Sequence, residues 1–216
     1  MREKLILHSD KYWISPYSFI VYVSLKEKKV DFDVHEINLE TGEHKDATYQ
    51  RNSYIGKVPC IQRGDFWLSE SSAIVEFLED SYPIPEHQAL FPKDFKHRAH
   101  ARMLIAWIRS SRDLLPLIEE RSTATMFYDK GNPLSPKAKE AADMLIRVAD
   151  RFIPSDKKNL FEDWCIADSD LAFCLHRLIR NGDPVPAKIK QYAEHQWQRP
   201  SVQEFLNRER APYKPY

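Results

Sequence analysis

Ser15 falls in the segment Tyr12-Trp13-Ile14-Ser15-Pro16-Tyr17, directly before a proline that opens an apolar, helix-like run. Proline is well tolerated in a first helical turn, and the free N–H groups and positive dipole end of such a turn favour a nearby anion. A hydroxyl there can donate a hydrogen bond to a thiolate or an oxyanion. It can equally act as the helix N-cap, since serine is a favoured capping residue. The segment alone leaves both readings open.

Two other stretches carry comparable chemistry. Gly56-Lys57-Val58-Pro59-Cys60-Ile61 puts a proline at the start of an apparent strand, where its missing donor is tolerated. A cis bond there, found at only about 5–6% of X–Pro positions, would let the Val58 N–H and C=O turn outward and pair with a peptide-like ligand. Leu68-Ser69-Glu70-Ser71-Ser72-Ala73-Ile74 places an acidic residue among hydroxyls at a helix start. Ser69 or Ser71 can cap that helix, and Glu70 suits its dipole. In a binding role, Glu70 accepts an ammonium while Ser71 and its N–H donate to a carboxylate.

The elements that must position these residues fall into two differently built halves. Lys4–His8 is an apolar run of strand length, and the stretch from Pro16 to Lys29 reads as a helix. Apolar residues at Val30, Phe32, Val34, Ile37 and Leu39 mostly alternate, so Val30–Leu39 reads as a strand. Val58–Gln62 and Phe66–Leu68 form two more strands joined by the turn residues Arg63-Gly64-Asp65, and a helix follows to just before Pro83. Prolines punctuate residues 83–92, which reads as a linker. Beyond it the pattern is helical: Ala99–Glu120 with a break expected at Pro116, then Lys137–Phe152, Ala167–Arg180, Pro186–Trp197 and Ser201–Arg208. Two domains are therefore expected, an α/β domain at 1–82 and an all-helical domain at 93–216.

Composition narrows the classes of partner. Lys+Arg and Asp+Glu balance at 32 each among 216 residues, so no global field attracts nucleic acid or an anionic membrane. The apolar run at the N-terminus is too short for a signal peptide, and no stretch approaches the roughly 18 apolar residues of a membrane span. Cys60, Cys165 and Cys174 form no Cys-x-x-Cys pair and have no histidine spaced for zinc, which predicts reduced, buried thiols, no metal and a cytoplasmic protein.

Taken in this order and spacing, the three motifs resemble the glutathione transferase family, and the resemblance extends over nearly the whole chain. Trp13-Ile14-Ser15-Pro16-Tyr17 is similar to the Trp-x-Ser-Pro-Phe element of the tau class, and the serine is shared in role with the zeta class. Among bacterial proteins, Ser15-Pro16-Tyr17, Gly42-Glu43-His44, Ser69–Ile74 and Trp164–Asp168 look closest to the YfcF group. Cys165-Ile166-Ala167-Asp168 stands where the family carries a Ser/Thr-x-x-Asp capping box, with a thiol in place of the hydroxyl. The Asn-Pro-x-Gly that precedes Val-Pro in relatives appears here as Asn52-Ser53-Tyr54-Ile55-Gly56.

The resemblance implies a thioredoxin-like N-terminal domain of order β-α-β-α-β-β-α that binds glutathione as co-substrate. Ser15 would be the catalytic residue, donating to the glutathione sulfur. Lowering a thiol pKa from about 8.5 by about 2 units takes about 2.7 kcal/mol, which a charge-assisted hydrogen bond of about 1.5–3 and a helix end of about 0.3–1 can supply. Val58 would pair with the cysteinyl backbone, Glu70 and Ser71 would hold the γ-glutamyl ends, and His44 or Lys57 would face the glycyl carboxylate. Trp13, Trp107, Ser111 and Arg112 are implied liners for a hydrophobic electrophile or peroxide, while Met103 and Leu114 are expected in the core. The implied activities are glutathione conjugation and organic-peroxide reduction in detoxification and oxidative stress, by a homodimer. Isomerisation of the maleylacetoacetate type and a non-catalytic interaction protein on the same fold are the alternatives.

Overall fold

The computed structural model describes residues 3–215. Met1, Arg2 and Tyr216, the outermost ends of the two expected domains, lie outside the described residues. The chain divides into two compact units: Met1–Leu90 together with Glu204–Tyr216, and Phe91–Gln203. The chain from Glu204 onward thus goes with the α/β unit, whereas the sequence leads one to expect it within the helical domain at 93–216.

In the first unit the order is β1 (Leu5–Asp10), α1 (Pro16–Glu27), β2 (Phe32–Ile37), α2 (Ala47–Ser53), β3 (Cys60–Arg63), β4 (Phe66–Ser69) and α3 (Ser71–Ser81). This is the β-α-β-α-β-β-α order of the thioredoxin-like expectation. The sheet runs β2-β1-β3-β4, with β1 parallel to β2 and antiparallel to β3. Every residue of α1 from Ser18 to Leu25 is buried. Its stability therefore comes from packing, since each fully buried large apolar side chain contributes roughly 1.5–3 kcal/mol. The charged cluster after it is not a simple solvated end. Lys28 is fully buried, with its ammonium on Glu79 at 2.6 Å and on the Tyr82 carbonyl at 2.7 Å.

Register decides what the sheet presents at its end. His8 of β1 lies opposite His35 of β2 and Cys60 of β3, and Cys60 lies opposite Ser69 of β4. Following the strand directions, the chain after β1, the chain after β2, the chain before β3 and the chain after β4 all leave the sheet at the same end. Three of the non-glycine residues with positive φ stand there, Trp13 (51°), Tyr54 (62°) and Glu70 (67°). Left-handed backbone is uncommon for such residues, and when it persists it tends to mark functional loops.

The second unit holds α4 (Phe95–Ser110), α5 (Leu115–Glu120), α6 (Ala124–Phe127), α7 (Pro136–Phe152), α8 (Ile166–Asn181) and α9 (Ala187–Trp197), and α10 (Pro200–Leu206) begins in this unit and ends in the first. The long helix expected over Ala99–Glu120 is two helices, and its break is not at Pro116. Ser111 adopts an extended conformation that ends α4, while Pro116 sits in the first turn of α5, where its missing N–H costs nothing. Met103 is 53% exposed and is not a core residue; Leu114 is fully buried as expected.

α8 is the centre of this unit, with every residue from Ile166 to Leu178 buried. Asp168 anchors its start: Oδ2 accepts the Cys165 N–H at 2.9 Å, and Oδ1 accepts the Leu160 N–H at 2.8 Å and the Tyr192 hydroxyl at 2.9 Å. The Cys165 thiol takes the reciprocal contact from the N–H of Asp168, a weak stand-in for the hydroxyl of the usual box. All three cysteines are buried and free. Burial raises the pKa of each thiol, to about 11 for Cys174. No helix among the described residues is long and apolar enough to cross a membrane.

Candidate functional site

Ser15 is the N-cap of α1, half-buried, with its Oγ accepting the Ser18 N–H at 3.2 Å. A hydroxyl has two lone pairs and one proton. Capping uses a lone pair, and the proton is committed to no acceptor among the described residues. The two readings of Ser15 are therefore compatible: the capping bond orients Oγ at the positive end of α1 and leaves its O–H available as a donor.

The backbone carrying Ser15 is tied from below. Asp10, at the end of β1 and fully buried, accepts the Ile14 N–H through Oδ2 at 2.9 Å and the Ser15 N–H through Oδ1 at 3.2 Å. The Asp10 carbonyl accepts the Trp13 N–H at 3.1 Å. Burial pushes the Asp10 pKa up, opposed by the two N–H bonds and by the charge of Arg210. No local pattern marks Asp10, because an aspartate at a strand end looks like an ordinary turn residue; only its burial sets it apart.

Trp13 does not line a substrate pocket. Its ring is fully buried, its Nε1–H donates to Glu36 at 2.7 Å, and Tyr22 and Phe205 pack edge-on against it with centroids at 5.6 and 5.5 Å. The Arg208 guanidinium covers it at 4.4 Å. The expectation that it contacts a second substrate is corrected on this ground, because a side chain enclosed on all sides presents no surface to a ligand.

Across the sheet end, the Val58–Pro59 bond is cis, and Val58 precedes the β1–β3 ladder, which begins at Cys60. Ser69 does not cap α3. Its hydroxyl donates to the Ser53 carbonyl at 2.6 Å, while Ser53 Oγ accepts the Gly56 N–H at 3.1 Å. These two bonds tie the end of α2, the approach to β3 and the end of β4 together. Glu70 is the N-cap residue of α3 and is exposed, with no capping bond from its side chain; Ser71 is buried at the first helical position. The segment 52–56, which departs from the family pattern, turns through positive φ at Tyr54 and Gly56. At Gly56 a Cβ would sit 3.0 Å from the His44 carbonyl, so glycine is required there for close approach as well as for its φ of 60°.

That approach brings His44 beside the segment leading to Val58. His44 lies in a 3-10 turn, Glu43–Lys45, with Nδ1 buried and without a partner among the described residues. Burial first, then the Lys45 charge, lowers its pKa. Lys57 is exposed, and its carbonyl accepts the Tyr49 hydroxyl at 2.9 Å. Ser15, Val58, Glu70, Ser71, His44 and Lys57 thus all belong to segments that emerge at one end of the sheet. This is the end where the parallel strands finish, which is the usual ligand position in open α/β sheets.

The other residues named for the second substrate lie in the helical unit. Trp107 is half-buried on α4, and its carbonyl accepts the N–H of Ser111 at 3.0 Å. Arg112 is exposed and borders a groove of about 560 Å³ with Asp113, Lys137, Glu140 and Arg147. No cluster of three or more His, Cys, Asp or Glu side chains is placed to hold a metal among the described residues.

The fold and this arrangement define a glutathione transferase-type protein. Family models described as "Glutathione S-transferase, N-terminal domain" and "Glutathione S-transferase, C-terminal domain" match residues 14–81 and 94–210, and the chain belongs to that family. A solved structure of a glutathione transferase homolog from Burkholderia gl BGR1, with bound glutathione, shares 38% identity and a TM-score of 0.77, covering 94% of this chain and 97% of that one. Human glutathione S-transferase theta-2 is 32% identical over 94 residues, 44% of this chain and 38% of the human protein. Glutathione S-transferase Z2 of Arabidopsis thaliana is 34% identical over 98 residues, 45% of this chain and 42% of the plant protein. The matched stretch therefore spans well under two thirds of these curated relatives.

Proposed function

We propose that this protein binds glutathione at the sheet end of its first unit and uses Ser15 to hold the bound thiol as a thiolate. The thiolate sulfur then attacks an electrophilic carbon and expels its leaving group, or attacks a peroxide oxygen. In the second case the O–O bond breaks, the alkoxide takes a proton and leaves as the alcohol, and the glutathione sulfur, oxidised to the sulfenic acid, is converted to the disulfide by a second glutathione with loss of water. The observation that carries the reading is the state of Ser15: fixed by the Ser18 N–H at the positive end of α1, with its own proton available. Val58, Glu70 and Ser71 supply the complementary backbone, ammonium and carboxylate contacts. His44 and Lys57, on segments at the same sheet end, are the candidates for the glycyl carboxylate. The glutathione in the Burkholderia relative supports the ligand. Trp107, Ser111 and Arg112 remain the candidates for the second substrate. A cytoplasmic homodimer acting in detoxification or oxidative stress completes the reading.

Retention on immobilised glutathione, with elution by free glutathione, tests binding directly. Wild-type protein should be retained and Glu70→Ala should not; a wild type that passes through unretained refutes the reading. Turnover with chloronitrobenzene, cumene hydroperoxide and a maleylacetoacetate analogue then separates conjugation, peroxide reduction and isomerisation. Retention without turnover on any of the three assigns the chain to binding rather than catalysis.

A further inference from the structure

We propose that Asp10 and Arg210 together are positioning residues for Ser15, acting as a clamp on the two sides of the loop that carries it. The inference rests on the proposed role of Ser15 and deepens it. The loop from Asp10 to Ser15 makes one turn between the end of β1 and the start of α1, and it passes through a left-handed residue at Trp13. A six-residue loop with a bulky residue at positive φ does not hold that shape unaided. On one side, Asp10 takes the N–H groups of Ile14 and Ser15 with its two carboxylate oxygens. On the other, Arg210 donates through one terminal nitrogen to the Trp13 carbonyl at 3.2 Å and to the Phe205 carbonyl at 3.2 Å. Its second terminal nitrogen donates to the carbonyls of Leu206 at 2.7 Å and Arg208 at 3.0 Å. One guanidinium thus joins the Ser15 loop to the C-terminal segment of the same unit.

The segment that carries Arg210 is itself well anchored. Phe205 packs on Phe19 at 5.2 Å, Arg208 donates to the Tyr22 hydroxyl at 3.3 Å, and Lys26 pairs with Glu204. Beyond Arg210, Tyr213 packs on Tyr12 at 5.4 Å and Lys214 pairs with Glu40 at 3.3 Å. Glu40 in turn accepts the Tyr12 hydroxyl at 2.8 Å and Lys11 at 3.0 Å. The clamp also has an electrostatic side. The charge of Arg210 favours ionised Asp10, and only the ionised carboxylate presents acceptors to both N–H groups without a competing proton. The Asp10 carboxylate faces Ile14 and Ser15 from its own loop and Arg210 from the C-terminal segment.

The consequence is directional. A hydrogen bond to a thiolate weakens steeply as its angle and distance degrade. Loosening the loop should therefore raise the pKa of bound glutathione while leaving contacts made by Glu70 and Ser71 intact. Asp10→Asn keeps the size but sets an amide N–H against one of the two backbone N–H groups. Arg210→Met removes the guanidinium, and Arg210→Lys restores the charge without the paired donors.

The test combines two readouts. The first is the pKa of enzyme-bound glutathione, followed by ultraviolet thiolate absorbance against pH, alongside the dissociation constant of glutathione. The expected result is a rise of about one unit, roughly tenfold less thiolate below both pKa values, in Asp10→Asn and Arg210→Met. Arg210→Lys should recover part of it, and the glutathione dissociation constant should change less than about threefold, equivalent to about 0.65 kcal/mol. The second is amide hydrogen exchange at Ile14 and Ser15, which needs no ligand; both N–H groups should exchange at least about tenfold faster in Asp10→Asn, the factor for an opening equilibrium shifted by about 1.4 kcal/mol. If Asp10→Asn does not fold, Arg210→Met carries both readouts. Unchanged thiol pKa in a folded variant, or unchanged exchange at both amides, overturns the clamp. A wild type that binds no glutathione overturns the proposed function instead, and the exchange measurement still decides the clamp.

Discussion

Replacing Ser15 by alanine removes one oxygen that is asked to do two things, and the two losses are measurable separately. As an N-cap, Ser15 accepts the Ser18 N–H, and losing a serine cap to alanine costs about 1 kcal/mol of stability. As a donor to a thiolate, its hydroxyl contributes about 1.5–3 kcal/mol, which corresponds to roughly 1–2 units of thiol pKa. Take a bound thiol at about 6.5 in the wild type and about 8 in the variant. The thiolate fraction at pH 7 then falls from about three quarters to about a tenth, so turnover drops roughly eightfold. At pH 9 the two enzymes differ by less than about twofold, because both thiols are then ionised. Ser15→Gly serves as the control: glycine costs only a few tenths of a kcal/mol as a cap but lacks the hydroxyl. The assay is a pH–rate profile of conjugation for the three proteins, set beside their urea midpoints. Alanine and glycine should share the kinetic defect and differ in stability. A Ser15→Ala profile that overlays the wild type, with only the midpoint lowered, would show that Ser15 is a cap and nothing more.

Three other outcomes follow from the same geometry. Trp13→Ala should lose roughly 3–5 kcal/mol in denaturant unfolding, because it empties the space between Tyr22, Phe205 and Arg208. Glu70→Ala should leave stability within about 0.5 kcal/mol, since the side chain is exposed and makes no capping bond, yet weaken glutathione binding about tenfold in calorimetry. A glutathione analogue without the γ-glutamyl amine should not discriminate between the two proteins. His176 is buried against Trp197, with Nε2 on the Ala193 carbonyl at 3.2 Å, and burial lowers its pKa to about 4. The folded pKa lies below the unfolded value of 6.5, so the unfolded chain binds the extra proton between them. Stability is complete above about pH 6.5 and falls by up to about 3 kcal/mol as pH drops through about 4. Urea midpoints at pH 7 and pH 4.5 should therefore converge in His176→Gln relative to the wild type.

Much of this protein was legible from one chain because its signals are local. Alternation over Phe32–Ile37, the Pro16 start after Ser15, and the turn residues between Val58–Gln62 and Phe66–Leu68 each depend on neighbours a few positions away. The three motifs were legible for the same reason, since each is a short run with its own hydrogen-bonding logic, and their order pointed to the family. Boundaries suffered where local signals competed. Pro116 drew the expected break to itself, whereas the extended backbone at Ser111 makes it.

Long-range pairing decided the rest. Sequence order does not say that residues 15, 58 and 70 share one sheet end; the registers His8 with Cys60 and Cys60 with Ser69 do. Trp13 sits two residues from the proposed thiolate donor and reads as a substrate contact, yet packing on Phe205, nearly two hundred positions away, encloses it completely. Asp10 and Arg210 carry no motif at all. Their roles arise only when burial strips water from a carboxylate and the returning C-terminal segment supplies the opposite charge. Residue type sets which bonds a side chain can make, and desolvation and proximity, which no local pattern encodes, select the ones it does make.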